Sequence, residues 1–361
     1  MVRSLFPTHS LTDYWPGYGA QAKANVEEAL ALSLELGDEE LIIESEQART
    51  RFLGARESAE TAEANWLRMQ ASGNLSRLNL ATFYLMWTHL RAGNFERCVE
   101  RCDDGTRLAR QIGAEPVQYA TLKEFALLQL GRFDEAWQAL QQEVSGEPHP
   151  LGAAMQRLGE GIYLYELGAW EEAVRALNES IERARRLMRV WMIALAQAYL
   201  AKVLARLGRP AEFQAEGGVL WPDAQAELAL AEERPDAALE YAERAIELAV
   251  RRDRPPDGLV AAEVKLRALL ALGRAAEALP LAVSAVAQAE AMQCRRLLWQ
   301  LLAAQMQAQE LLGEVTAAGV TRQAATEALR TLSATIPEVG LRERFEAQPP
   351  ARAILGVAPA E

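Results

Sequence analysis

The stretch LGRFDEAW, Leu130 to Trp137, and its near copy LGAWEEAV, Leu167 to Val174, decide the fold. Each sets a Gly after an apolar run and follows it with an acidic pair and an Ala. Gly takes the left-handed cap conformation at no steric cost and so ends one helix, while the acidic residues favour the positive N-terminal end of the next. The pattern recurs as EERPDAAL (Glu232 to Leu239), LGRAAEAL (Leu272 to Leu279) and LGEVTAAG (Leu312 to Gly319). Weaker copies are LGARESAE from Leu53, AGNFERCV from Ala92 and LGRPAEFQ from Leu207. With the Gly, or Glu233, as marker, the positions are 54, 93, 131, 168, 208, 233, 273 and 313, giving steps of 39, 38, 37, 40, 25, 40 and 40. Six nearly equal steps mark an internal repeat. The short step, with Gly217, Gly218 and Pro222 nearby, marks a damaged unit whose second helix is shortened or replaced by a loop between Gly208 and Pro222.

Each unit reads as two helices. In the segment from Pro235, the residues Ala238, Tyr241, Ala242, Ala245, Ile246 and Ala249 recur three and four apart among Asp, Glu and Arg, which makes one apolar stripe on a solvated helix. Similar patterns cover most of the chain from Gln21 to Ala334, and no alternating strand interrupts them. A helix pair cannot bury its stripe alone, so stacked neighbours must supply the core, and the fold class expected is an all-α solenoid of antiparallel helix pairs. The small residue after the acidic pair, Ala136, Ala173, Ala238, Ala278 or Ala318, is where the helices of a pair come close.

The helix pair with Gly, an apolar residue and Asp/Glu-Glu-Ala resembles the tetratricopeptide repeat over about residues 21 to 335. The resemblance implies a right-handed superhelix whose concave face is lined by the first helix of each unit. The units exceed the family's repeat of about 34 residues, and the small residue midway along the first helix is clear only at Gly161 and Ala201. None of the family's peptide-clamping residues carries over. The longer period is similar to the C-terminal repeat regions of bacterial signalling ATPases, adenylate and guanylate cyclases and maltose-activator-like regulators, and RRLLWQLLAAQMQAQELLG, Arg295 to Gly313, ends the array in the same manner. The domain reading is an N-terminal extension at 1–20, the solenoid at 21–335 with its irregular unit near 208–233, and a C-terminal capping segment and tail at 336–361. The first helix looks like the second half of a unit, so a fragment or stand-alone relative is expected.

Composition narrows function. The 361 residues carry a formal charge of −12, which disfavours a nucleic-acid partner. Three Cys give no disulfide framework and suit a reducing compartment, so the expected location is the cytoplasm. The charge-free run Val190 to Ala201 is too short for the roughly 20 residues that span a bilayer. Neither a phosphate loop, GxGxxG, GxSxG nor HExxH occurs, so no enzyme activity and no cofactor are expected. Cys98 and Cys102, with His89 upstream, lack zinc-site spacing and read as small core residues. The Arg183, Arg185, Arg186 and Arg189 cluster reads as a dipole-favoured helix end.

By register from the marker Gly, the inner face includes Phe83, Trp87, Phe125, Met155, Tyr165, Lys202 and Arg206. Aromatic and Arg side chains dominate interface energies. The leading expectation is a non-catalytic module that binds a protein or peptide partner on this concave face, in a bacterial signalling setting. The alternative is a small-molecule sensor, with Trp87 or Tyr165 stacking on a sugar.

Overall fold

The computed structural model describes residues 18–114, 116–141, 150–214 and 220–356, and among them there is no β-strand. The helices in chain order are α1 Tyr18–Leu36, α2 Glu39–Arg49, α3 Ala55–Ser72, α4 Leu75–Ala92, α5 Phe95–Gln111 and α6 Val117–Leu130. Next come α7 Phe133–Gln141, α8 Pro150–Glu166, α9 Trp170–Arg186, α10 Val190–Arg206, α11 Pro222–Ala231 and α12 Pro235–Arg251. The last six are α13 Pro255–Ala271, α14 Ala275–Ala291, α15 Arg295–Leu311, α16 Val315–Ala334, α17 Val339–Glu346 and α18 Pro349–Leu355.

Units pair α4 with α5, α6 with α7, α8 with α9, α11 with α12, α13 with α14 and α15 with α16. Across units, α4 packs on α6, α6 on α8, α8 on α10, α11 on α13 and α13 on α15. The first helices therefore form an inner layer and the second helices an outer one. The close-approach positions behave as their size requires, since Ala136, Ala173, Ala238, Ala278 and Ala318 are all buried. A side chain at Gly161 would put its Cβ 2.7 Å from Leu177 of α9.

The marker residues 93, 131, 168, 208, 273 and 313 all have positive φ, and Glu233 takes the same conformation without being Gly. Gly54 departs from the expected cap. Helix α2 runs into a 3-10 turn at Thr50–Phe52, and Gly54, at φ −60 and ψ 157, is the extended residue that starts α3. Between α10 and α11 there is only a 3-10 turn, Pro210–Glu212, among the described residues. Phe213, Leu220 and Trp221 pack there against Ala198, Ala201 and Ala224, in the place of a second helix. Gly217 and Gly218 lie outside the described residues.

The superhelix closes on itself within one turn. Helix α4 meets α13, and α6 meets α15. Gly93 faces Met292, 199 residues later, and Gly131 faces Leu332, 201 residues later, about five units in each case. The Thr335 hydroxyl lies 3.0 Å from the Gly131 carbonyl oxygen and accepts the Phe133 N–H at 3.3 Å. Gly168 is needed twice over, because φ is +76 and a Cβ would stand 2.9 Å from the Arg344 carbonyl oxygen. The C-terminal segment takes part in this seam as α17 and α18. Phe345 is buried between Phe133 and Trp299, with ring centroids 5.8 and 5.4 Å away. Residues 357–361 and 1–17 lie outside the described residues. No described helix is long and apolar enough to cross a membrane.

Candidate functional site

The inner layer brings three of the seven sequence-derived positions together. Tyr165 at the end of α8 and Lys202 and Arg206 on α10 line one central cleft with Trp170, Tyr199, Glu227, Glu263, Arg296, Gln300 and Gln348. The wall is thus drawn from α8 to α11, α13, α15 and the α17–α18 joint, and it exists only because the superhelix closes. The space at its centre is about 40 Å³, enough for about three waters at roughly 10–15 Å³ each.

The other four positions lie elsewhere. Phe83 and Trp87 on α4 are half-buried and in edge contact, and Trp87 meets Trp191 of α10 with centroids 6.5 Å apart. Phe125 is half-buried against the main core. Met155 is only 5% exposed and is itself part of that core. Cys98 and Cys102 are buried in the same core, as small apolar residues would be. Arg183 donates to the Ala153 carbonyl oxygen at 3.1 Å, so the basic end of α9 is tied to α8.

Four cations around the cleft are matched by four carboxylates. Lys202 pairs with Asp223 at 2.5 Å, Arg206 with Glu227 at 3.2 Å, and Arg296 with Glu166 at 2.7 Å. Arg267 holds both Glu227 and Glu263, the latter at 2.8 Å. Arg296 also donates to Gln129 of α6 at 3.1 Å, and Gln348 donates to the Glu166 carbonyl oxygen at 2.9 Å. Burial works against the Lys202 ammonium, but Asp223 outweighs it and holds the lysine charged well above its ordinary range. Burial likewise tends to raise Glu227, yet Arg206 and Arg267 overcome it and bring the carboxyl to about 2. Burial pushes the Tyr199 phenol up to about 12 and raises Tyr165 as well, so both remain O–H donors at neutral pH.

The network has a sequence signal that register counting from the Gly missed. Glu227 sits inside AQAELALA, and Glu263 and Arg267 inside LVAAEVKLRALL. Charged residues on the apolar stripe of a helix must find partners when buried. Among the described residues no group of His, Cys, Asp and Glu is arranged to hold a metal ion. Glu124 of α6 is fully buried near Gly159 and Leu140, with neither carboxyl oxygen hydrogen-bonded to a described residue.

These features define the class as an all-helical repeat solenoid with a closed, polar centre. No family model and no curated protein matches the chain. Among solved structures it is similar to a Rap protein complexed with competence and sporulation factor, at 12% identity over 93% of this chain and 92% of that one, with a TM-score of 0.38. It is also similar to a circular tandem repeat protein with novel repeat topology, at 14% identity over 93% and 84% of the two chains, with a TM-score of 0.22.

Proposed function

We propose that this protein is a non-catalytic interaction module that binds a peptide or a segment of a protein partner on its inner face, anchored at the central cleft. The observation that carries the reading is the convergence of Tyr165, Lys202 and Arg206 with Trp170, Tyr199 and Gln300 on one cleft. Phe83 and Trp87, half-buried on α4, extend the contact surface along the inner face. A narrow cleft with about 40 Å³ of space at its centre suits one inserted side chain of a peptide. The similarity of the repeat period to bacterial signalling proteins is what supports a cytoplasmic signalling role.

The test is affinity capture from a lysate of the source cells, with the full chain and a Tyr165→Ala, Trp170→Ala variant whose helical circular dichroism is unchanged. The expected result is a protein that is retained by the first and lost by the second, and whose presence protects Tyr199 from hydroxyl-radical oxidation. A partner retained equally by both chains would place binding outside the cleft and refute the proposal.

A further inference from the structure

The charged side chains of the cleft already satisfy one another. Lys202, Arg206, Arg267 and Arg296 are each in an ion pair with Asp223, Glu227, Glu263 or Glu166. A ligand carrying a net charge would have to break one of these buried pairs or stay unpaired itself, and both are costly. What the wall leaves open is neutral. Tyr165, Tyr199, Trp170 and Gln300 are among the residues that line the cleft, and their side chains make no hydrogen bond to any described residue.

Three O–H or N–H donors beside one amide that both donates and accepts call for a group with a strong carbonyl acceptor and an N–H of its own. A primary carboxamide is that group. Its oxygen has two lone pairs for two donors, its NH2 can donate to the Gln300 side-chain oxygen, and its few heavy atoms suit a narrow cleft. Its flat faces suit the rings of Tyr165 and Tyr199, which stand edge to face with centroids 5.6 Å apart.

We propose that the cleft recognises an uncharged carboxamide, the side chain of an Asn or Gln in a peptide partner, through Tyr165, Tyr199, Trp170 and Gln300, while the surrounding ion pairs act as positioning residues. The inference rests on the cleft being the binding site, as proposed above.

The experiment uses the full chain and a random peptide library displayed on phage. Selected peptides are resynthesised, and their affinities are measured by fluorescence anisotropy for the original chain and for Tyr165→Phe and Tyr199→Phe variants, which keep both rings. Support would be an indispensable Asn or Gln, a loss on the order of a hundredfold or more when it becomes Asp or Glu, and a loss of about threefold to tenfold with each Tyr→Phe. Peptides that need the two phenols but depend on Ser, Thr or a charged residue would overturn the carboxamide inference and leave the cleft as the site. Peptides indifferent to both phenols and to Trp170→Phe, or no selected peptides at all, would overturn the inference and the cleft reading together.

Discussion

Replacing Glu124 with Gln removes a buried ionisable group while keeping its shape, and linkage fixes the sign of the effect. Glu124 is 0% exposed on α6, beside Gly159, and neither carboxyl oxygen has a hydrogen-bond partner among the described residues. Burial first, and the Glu166 charge second, push its carboxyl well above the usual range. In the unfolded chain a Glu titrates at about 4.3. The folded state therefore keeps a proton that the unfolded state has released, over a window that begins at that unfolded value and ends at the raised folded one. Stability from this group is fully present below that window and falls as pH rises through it, by about 1.4 kcal/mol per pH unit for one proton. The carboxamide of the variant has no proton to lose. The stability difference between the Glu124→Gln variant and the original chain should therefore grow in the variant's favour by about 1.4 kcal/mol per pH unit upward from about pH 5. Guanidinium titrations at about pH 5, 6 and 7, followed by helical circular dichroism, track it upward from the unfolded value. Parallel shifts at all three pH values would refute the reasoning, because they would mean that Glu124 ionises as readily folded as unfolded.

Three further outcomes follow from packing and backbone geometry. Gly131 and Gly273 both have positive φ, but a Cβ at Gly131 would overlap Leu332 while one at Gly273 meets nothing within 4 Å. In the same titrations Gly131→Ala should cost about 1–3 kcal/mol more than Gly273→Ala, and equal costs would mean the seam is not packed in solution. Met188 is 85% exposed with φ 53, so Met188→Gly should raise stability by about 1 kcal/mol; a loss would show that its side chain is held. Arg296→Met leaves Glu166 buried without its partner and should cost about 3–5 kcal/mol, most of which is recovered when Glu166→Gln is added. A double variant no more stable than the single one would sink the pairing as the cause.

The sixteen helices α1 to α16 were legible because one apolar stripe and one corner sequence recur along the chain, and local periodicity is enough to specify a helix pair. The corner rule failed at Gly54, where α2 tightens into a 3-10 turn before the marker and leaves no cap to make. It extended beyond Gly at Glu233, where the repeat geometry imposes positive φ on an acidic residue. Helices α17 and α18 were not legible as helices, since seven or eight residues hold too few turns for a stripe to be read. The cleft was half legible. Tyr165, Lys202 and Arg206 follow from register on the inner face, whereas Arg296, Gln300 and Gln348 join them from a full turn of the superhelix away, and such a separation has no period in the sequence.

That closure changes how the molecule should gain and lose structure. In an open solenoid each unit touches only its neighbours, so the terminal units fray and folding can begin anywhere. Here the terminal helices α15 to α18 are stitched to α6, α7 and the end of α8 by Thr335, Phe345, Arg296 and Gln348. Joining positions about 200 residues apart adds a loop-closure cost that is met only after the intervening units have formed, so the seam should be the last and slowest contact to assemble. Once made, it ties the fraying of the C-terminal helices to the loss of α6 and α8, and amide protons in α6 should exchange at the rate set by release of α17 and α18.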